Sequence, residues 1–567
     1  MSTIKHQLAD ELKKILKIVV DITLFTDPPK ADLGEFALPL FVFAKEMKKN
    51  PNELATEFAE KINAGTSKLI LNAEAAGPYL NLYFKPEVWN AAVITHTETL
   101  PTDSGGKPEK IMIEYSQPNT HKEFHVGHLR NACLGASIVN ILRYQGQEVI
   151  AANYIGDTGV HVAKCLWWLQ KKYPDGNYDF GHKSKGEFLG DIYAEAVRKL
   201  ADNKDLESEV SAIHKQLESQ NPEITNLWQK TKEWSMAGFN LVYDKLNVRF
   251  DEWFWESEEE IEGKELIFDI LKKGTVPQIK ESEGAVIADL KEFDLDVMVL
   301  IKSDGNVLYG TKDLPLGKKK FDKFNIDKSV YIVDNRQSLY LKQIFKLLDL
   351  LGYENKEKLH VAHDFVTLPD GAMGSRKGNV VIFWDLYNAM HEKLTTETKE
   401  RHSDWTNEQI EKTASQVTLA ALKFWMLKYE NNSVIIFDMD KAMSVEGATG
   451  PYLLYTVARI NSVLKKAGQI SSKVDYSLLK ELEEKDVIKI ISRFDNVVKL
   501  SADKYQPSFL ATYLLELAQA VNSFYHQHHV ISSDGTLQAV RIKLLQAAKT
   551  TLEKGLNLLN IDSVEEM

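Results

Sequence analysis

Cysteine is almost absent: Cys133 and Cys165 are the only two in 567 residues. A disulfide framework is therefore excluded, which favours a reducing compartment. Cys133, on an apolar helical run, reads as a buried side chain. No apolar stretch reaches a membrane-spanning length. The opening residues, MSTIKHQLADELKKILKIVV, carry acidic groups and no long apolar core, so they fit neither a secretory signal nor an arginine-rich transit peptide. These absences lead to the expectation of a cytoplasmic protein. Zinc-type spacing is missing as well: His526, His528 and His529 have no cysteine or carboxylate beside them in the chain, and no protein-bound metal is expected. Excess basic charge is also lacking, with 69 Lys plus Arg against 81 Asp plus Glu and a net charge of -12. From Asp440 onward, however, 15 basic residues balance 15 acidic ones. A neutral surface can still present local basic stripes to phosphate.

What remains is an ordinary globular composition, 44% apolar and 26% charged, in a chain too long for one core. Three or four domains are expected. The most informative stretch is EYSQPNTHKEFHVGHLRNACLG, residues 114 to 135. Its lead-in, KIMIEYS, has the β-branched character of a buried strand, Pro118 and Asn119 break it, and a helical period follows. His125, Gly127 and His128 thus stand where a strand turns into a helix. Helix-start amides lack internal partners and the dipole there is positive, so a polyphosphate is favoured. Gly127 lacks a Cβ and permits close approach of a base or ribose. Imidazoles at i and i+3 point the same way and can donate to phosphate oxygens.

This stretch resembles the first nucleotide-binding signature of class I aminoacyl-tRNA synthetases, and the longer string is similar to the arginyl-tRNA synthetases. The resemblance continues in order through NYIGDTG (153 to 159), LYGTKD (308 to 313), GSRKGNVV (374 to 381) and GPYLLYTVARI (450 to 460). It implies ATP, L-arginine and tRNA(Arg) as substrates, with Mg2+ accompanying ATP. Arginine would be activated to its adenylate and passed to tRNA, with release of pyrophosphate and AMP. It implies ATP contacts at His125, Gly127, His128, Met373, Ser375, Arg376 and Lys377. Arginine contacts would fall on Glu114, Asn119, His128, Tyr309, Asp313 and Gln337. Glu114 in an apolar strand must in any case be paired, and Asp313 alone also reads as a cap for the helix LPLGKKKF. Contacts with tRNA would fall on Gly34, Glu35 and Phe36 at its outer corner, and on Tyr452, Tyr455, Arg459 and Met567 at the anticodon. Tyr452, Tyr455 and Arg459 share a helix face by spacing, and a buried face is the competing reading.

The expected architecture is a multidomain α/β protein with a doubly wound, Rossmann-like parallel-sheet catalytic domain at 105 to 385. A helical insertion at about 165 to 286 would separate the halves of the sheet. A small α/β N-terminal domain would occupy 1 to 104, and an all-α anticodon-binding bundle 386 to 567. A monomer is expected. Trp167, Trp168, Trp228, Trp234, Trp253 and Trp255 read mainly as core. Two departures from the family stand out. The usual lysine-bearing loop reads Ala372-Met373-Gly374-Ser375-Arg376, without lysine, and Thr158 and His161 replace a common aromatic and a common amide. Lys122, in the turn before the helix, is the candidate to supply the missing charge, against the alternative of a solvated surface lysine. The degenerate loop also suggests a rival, a tRNA-binding relative without catalysis.

Overall fold

The computed structural model describes residues 2–28, 33–99, 107–367, 369, 381–468, 474–532 and 534–567. Strands β1 (Phe36–Pro39), β2 (Ile70–Ala76) and β3 (Tyr79–Phe84) form an antiparallel sheet in the order β1-β3-β2. Helices Ser2–Leu16 and Pro51–Ala64 contribute to the same core. The second begins sharply because Asn50 accepts from the Asn52 amide and Pro51 occupies the first turn.

The catalytic region is built on five parallel strands. These are β4 (Lys110–Glu114), β5 (Glu148–Ile155) and β6 (Glu252–Trp255), joined after β7 (Ile279–Ser282), β8 (Ala285–Asp289) and β9 (Val297–Ile301) by β10 (Lys328–Asp334) and β11 (Glu357–His363). Their order is β11-β10-β4-β5-β6. The chain leaves β4 toward β5 and later returns on its other side as β10. The carboxyl ends of β4 and β10 therefore flank a topological switch point, the usual ligand crevice of such sheets.

The helical insertion is placed differently from the expectation. Helices Val160–Lys172, Lys185–Asp202, Glu207–Glu218 and Pro222–Leu246 form the crossover from β5 to β6. Strand β6 then pairs in parallel with Ala152–Ile155, so the inserted region is interrupted by the main sheet. Four residues, EWFW, are too short a run to announce an edge strand. VMVLI at 297 to 301 stays outside the main sheet: β9 pairs antiparallel with β8. Val297 and Val299 are partly exposed while Met298 and Leu300 are buried, the alternation of a one-sided antiparallel strand rather than of a strand covered on both faces. The turn at Asp304-Gly305-Asn306 closes only an isolated bridge between Ile301 and Val307.

Beyond the sheet, β12 (Val366–Thr367) pairs in parallel with β13 (Ile435–Ile436). Helices Phe383–Arg401 and Asn407–Leu427 lie between them in the chain. The rest is helical: Gly450–Ala467, Leu482–Ser492, Phe494–Asp503, Ser508–Gln527 and Gly535–Leu558 are its main helices. A continuous apolar cluster runs from Leu129 through Phe383, Leu422 and Leu453 to Leu514 and Leu552, joining histidine helix and bundle. Trp167 and Trp234 are buried, as core aromatics should be. No helix among the described residues is long and apolar enough to cross a membrane.

Candidate active site

The helix Val126–Tyr144 starts where β4 ends, and His125 caps it. His125 Nδ1 accepts from the Gly127 amide at 3.1 Å and the His128 amide at 3.3 Å, while His128 Nδ1 accepts from the His125 amide at 3.3 Å. The two rings stack at 3.7 Å. A Cβ on Gly127 would come within 3.0 Å of the His125 ring, so glycine is what lets this cap form. The Val126 amide donates to the Val381 carbonyl. The first three helix amides are thus occupied, contrary to the expectation that they would meet phosphate directly. Burial holds His125 down to about 4, with Lys122 adding to the effect. Burial, then His125 and Lys122, holds His128 well below the usual histidine range. Two neutral rings that accept at Nδ1 carry their protons on Nε2, so an anion here is met by imidazole N–H groups.

Lys122 is half-buried, with its ammonium 5.3 Å from the centre of the Tyr193 ring. Burial, then the Lys164 charge, lowers its pKa, and no carboxylate among the described residues lies within ion-pair distance. Among the described residues it is a cation without an ion-pair partner, next to the stacked histidines.

On the other side of the switch point the charge is reversed. Glu114, buried at the end of β4, lies 2.6 Å from Lys320 Nζ and accepts from Gln117 Nε2 at 2.9 Å. Lys312 is held by Glu256 at 3.0 Å and Glu260 at 2.8 Å. Asp313 accepts the Tyr340 hydroxyl at 2.5 Å and has no cation within ion-pair distance among the described residues. Burial first, then the Glu114 and Glu256 charges, pushes its carboxyl up to about 7. Four carboxylates therefore share two ammonium groups. The pocket is short of positive charge, and a planar guanidinium with five donors suits a half-buried carboxylate such as Asp313.

Asn119 bridges to Gly156 where β4 and β5 end, and a Cβ on Gly156 would fall 2.2 Å from Asn119 Oδ1. Tyr309 opens helix Tyr309–Phe324 and is 66% exposed. That helix begins a turn before Asp313, so the alternative reading of Asp313 as its cap falls. Gln337 lies in the exposed turn that leads from β10 into the Tyr340 helix. Met373, Ser375, Arg376 and Lys377 lie outside the described residues.

The residues expected to face RNA are engaged internally. Gly34 backs onto the Leu82 carbonyl, Glu35 accepts from the Phe84 amide at 2.7 Å, and Phe36 is buried against Phe84 and Trp89. All three hold β1 onto β3, and Glu35 remains half-exposed. Tyr452, Tyr455 and Arg459 do share a face. Arg459 donates to Tyr455 Oη at 2.7 Å and to Asn522 Oδ1 at 3.1 Å, while Asn522 donates to Tyr452 Oη at 3.0 Å. Met567 lines a small cleft together with Leu394, His402 and Val417. His528 Nε2 lies 2.9 Å from Glu483, a carboxylate distant in the chain. Sequence reasoning missed Lys320, Lys312, Glu256 and Tyr340, because lysines in a polar run such as GKKK read as solvated. It also missed Asp157 as a junction, where it binds Lys232 at 2.6 Å and the Ser257 amide at 2.8 Å.

Three family descriptions match the chain: "tRNA synthetases class I (R), catalytic domain" over residues 91–439, "DALR anticodon binding domain" over 453–567, and "Arginyl tRNA synthetase N terminal domain" over 2–84. The arginine–tRNA ligase of Bdellovibrio bacteriovorus is 38% identical over 554 residues, 95% of this chain and 93% of that one. That of Clostridium acetobutylicum is 33% identical over 573 residues, 99% of this chain and 100% of the other. The solved arginyl-tRNA synthetase of Thermus thermophilus superposes over 100% of both chains with a TM-score of 0.81 at 26% identity. With a catalytic domain that fits an acidic, cation-deficient pocket beside a paired-histidine helix start, the chain belongs to the arginyl-tRNA synthetases of class I.

Proposed function

We propose that the chain activates L-arginine with ATP and transfers it to tRNA(Arg), and that the two halves of the switch-point crevice divide this work. The observation that carries the reading is Asp313, a half-buried carboxylate with no cation in ion-pair range among the described residues, while its neighbours Glu114, Glu256 and Glu260 are paired. Arginine supplies that cation, its guanidinium entering between Asp313, Glu114 and Tyr309 and its α-amino end lying toward Asn119 and His128. Gln337 closes the side of the pocket nearest the Tyr340 helix. The arginine carboxylate then attacks the α-phosphorus of ATP and the bond to pyrophosphate breaks. Such in-line displacement needs placement and charge neutralisation more than a dedicated base. His125 and His128 donate from Nε2 to the phosphates, Gly127 keeps that cap in place, and Lys122 neutralises charge from the fixed side. Met373, Ser375, Arg376 and Lys377 complete the ATP site from the loop. Mg2+ accompanies ATP, held by its phosphates and by water.

Domain roles follow the same reading. Residues 1 to 104 meet the outer corner of tRNA, with Gly34, Glu35 and Phe36 shaping that domain, and the bundle presents Tyr452, Tyr455, Arg459 and Met567 toward the anticodon. The enzyme acts as a cytoplasmic monomer. The test is pyrophosphate exchange across the standard amino acids, with and without total tRNA. Exchange that depends on arginine supports the reading. Binding of tRNA without exchange under either condition overturns it in favour of a non-catalytic binder.

A further inference from the structure

Tyr154 carries a buried hydroxyl for which no described residue offers a hydrogen-bond partner. The residue stands on β5, in register with Phe254 of β6, and its ring packs against the apolar cluster that holds Met112, Leu300 and Leu314. The groups that bear on its hydroxyl, strongest first after burial itself, are Asp313, Glu256, the Tyr340 phenol and Glu114. Each of these has a partner already: Asp313 has Tyr340, Glu256 has Lys312, and Glu114 has Lys320 and Gln117. Tyr154 is the one phenol of the group left with neither donor nor acceptor satisfied. A buried hydroxyl in that state disfavours the folded protein, and phenylalanine would fill the same space without the penalty.

The chemistry of the neighbours says what would satisfy it. A carboxylate only accepts, a guanidinium only donates, and a hydroxyl does both. Set beside Asp313, a phenol can give its proton to the carboxylate and take an N–H from a guanidinium on the same carboxylate. We propose that Tyr154 is a substrate-touching, specificity-determining residue of the amino-acid site, accepting one N–H of the arginine guanidinium while donating to Asp313. This deepens the proposed function and rests on it. The β5 strand then supplies a third wall of the pocket, beside the end of β4 and the helix Tyr309–Phe324. The string NYIGDTG drew notice in the sequence but gave Tyr154 no role, because a tyrosine in an apolar strand reads as core.

The experiment compares the full chain with Tyr154→Phe in arginine-dependent pyrophosphate exchange, with total tRNA present, and in calorimetric titration with L-arginine. The expected result is an arginine KM and Kd about tenfold higher, with the ATP KM and the kcat at saturating arginine within about twofold of wild type. Thermal stability should stay level or rise, since the variant removes an unsatisfied polar group. An unchanged arginine KM and Kd in Tyr154→Phe overturns the assignment and leaves the functional reading standing. Equal losses for arginine and ATP, together with a lower Tm, also overturn it, because that is the signature of a packing residue. Wild-type protein that neither exchanges with arginine nor binds it overturns both.

Discussion

Lys320 lies 2.6 Å from Glu114 with neither side chain reaching solvent, at 0% and 5% exposure. The lysine also sits 4.0 Å from the centre of the Tyr331 ring. The pair joins the helix Tyr309–Phe324 to the end of β4, and so fixes one wall of the amino-acid pocket against another. Breaking a buried pair from one side leaves an uncompensated charge, which costs about 3–5 kcal/mol. Lys320→Ala should lose stability of that order in urea unfolding. Lys318→Ala, on the same helix but half-exposed beside Asp322, should change stability by less than about 0.5 kcal/mol. Equal effects in the two variants would show that the Glu114 pair carries no special weight.

Asp313 makes arginine binding depend on pH. Its carboxyl is raised to about 7 by burial and by Glu114 and Glu256. A raised acid favours the protonated form in the empty protein, so its contribution to stability is present at low pH and is lost as pH rises through about 7. Arginine binds the carboxylate form, and its affinity moves the other way. Between pH 6 and pH 8 the Kd for arginine should fall about tenfold in wild type, following the fraction of Asp313 that is ionised. Asp313→Asn should abolish that slope and raise the Kd by one to two decades, the worth of a charged hydrogen bond of about 1.5–3 kcal/mol. Calorimetry at the two pH values reads both effects, and a slope that survives in Asp313→Asn assigns the titration to another group.

The parts of this site that could be read from the chain are those with a local signature. His125, Gly127 and His128 announce a strand-to-helix turn because the break at Pro118-Asn119 and the change of period are both local. Glu114 was legible as a carboxylate needing a partner. The partner, Lys320, lies 206 positions away in a run of three lysines that looks solvated. Only the fold decides which of Lys318, Lys319 and Lys320 turns inward. The role of the helix amides was misjudged for a related reason: His125 caps its own helix, and no spacing rule says whether a histidine beside a helix start will face a ligand or the backbone. The parallel order of the sheet was legible from alternating β and α segments, whereas β6 was lost in the expected helical insertion because its four residues carry too little pattern.

Lys122 supplies a test of how this chain manages without lysine in the run 372 to 376. Its ammonium is half-buried, has no carboxylate in ion-pair range among the described residues, and lowers the pKa of both His125 and His128. A cation kept unpaired next to neutral imidazoles is suited to the negative charge that develops as pyrophosphate leaves. Lys122→Ala should lower kcat for arginine activation at least tenfold, about 1.4 kcal/mol of transition-state stabilisation, with little change in the arginine KM. Single-turnover exchange is the measurement. Wild-type activation in Lys122→Ala, with loss in Arg376→Ala and Lys377→Ala, would place the needed charge in the loop alone.

Arg130, one turn into the histidine helix, is the point from which the surrounding segments are hung. Its buried guanidinium donates to the carbonyls of Asp364 at 2.6 Å, Asn431 at 2.7 Å and Ser433 at 2.8 Å, with longer contacts to Phe365 and Glu430. Burial lowers its pKa to about 10, which leaves it charged at neutral pH. Those carbonyls flank the β12 and β13 pairing, in which the Ile435 amide donates to Phe365 and the Phe437 amide to Thr367. One side chain thus ties the helix that bears His125 and His128 to the strand pair at the entrance to the bundle. Lysine keeps the charge but offers three donors on one atom, too compact to reach carbonyls on both segments. Each buried carbonyl left unpaired costs about 1–3 kcal/mol, so Arg130→Lys should lose at least about 2 kcal/mol in denaturant unfolding. Hydrogen exchange separates this from a general loosening. The Ile435 and Phe437 amides should lose protection well beyond that of amides in the main sheet, such as Tyr115, which donates to Ala152. Uniform loss across both sets would mean that Arg130 serves stability alone and holds no particular junction.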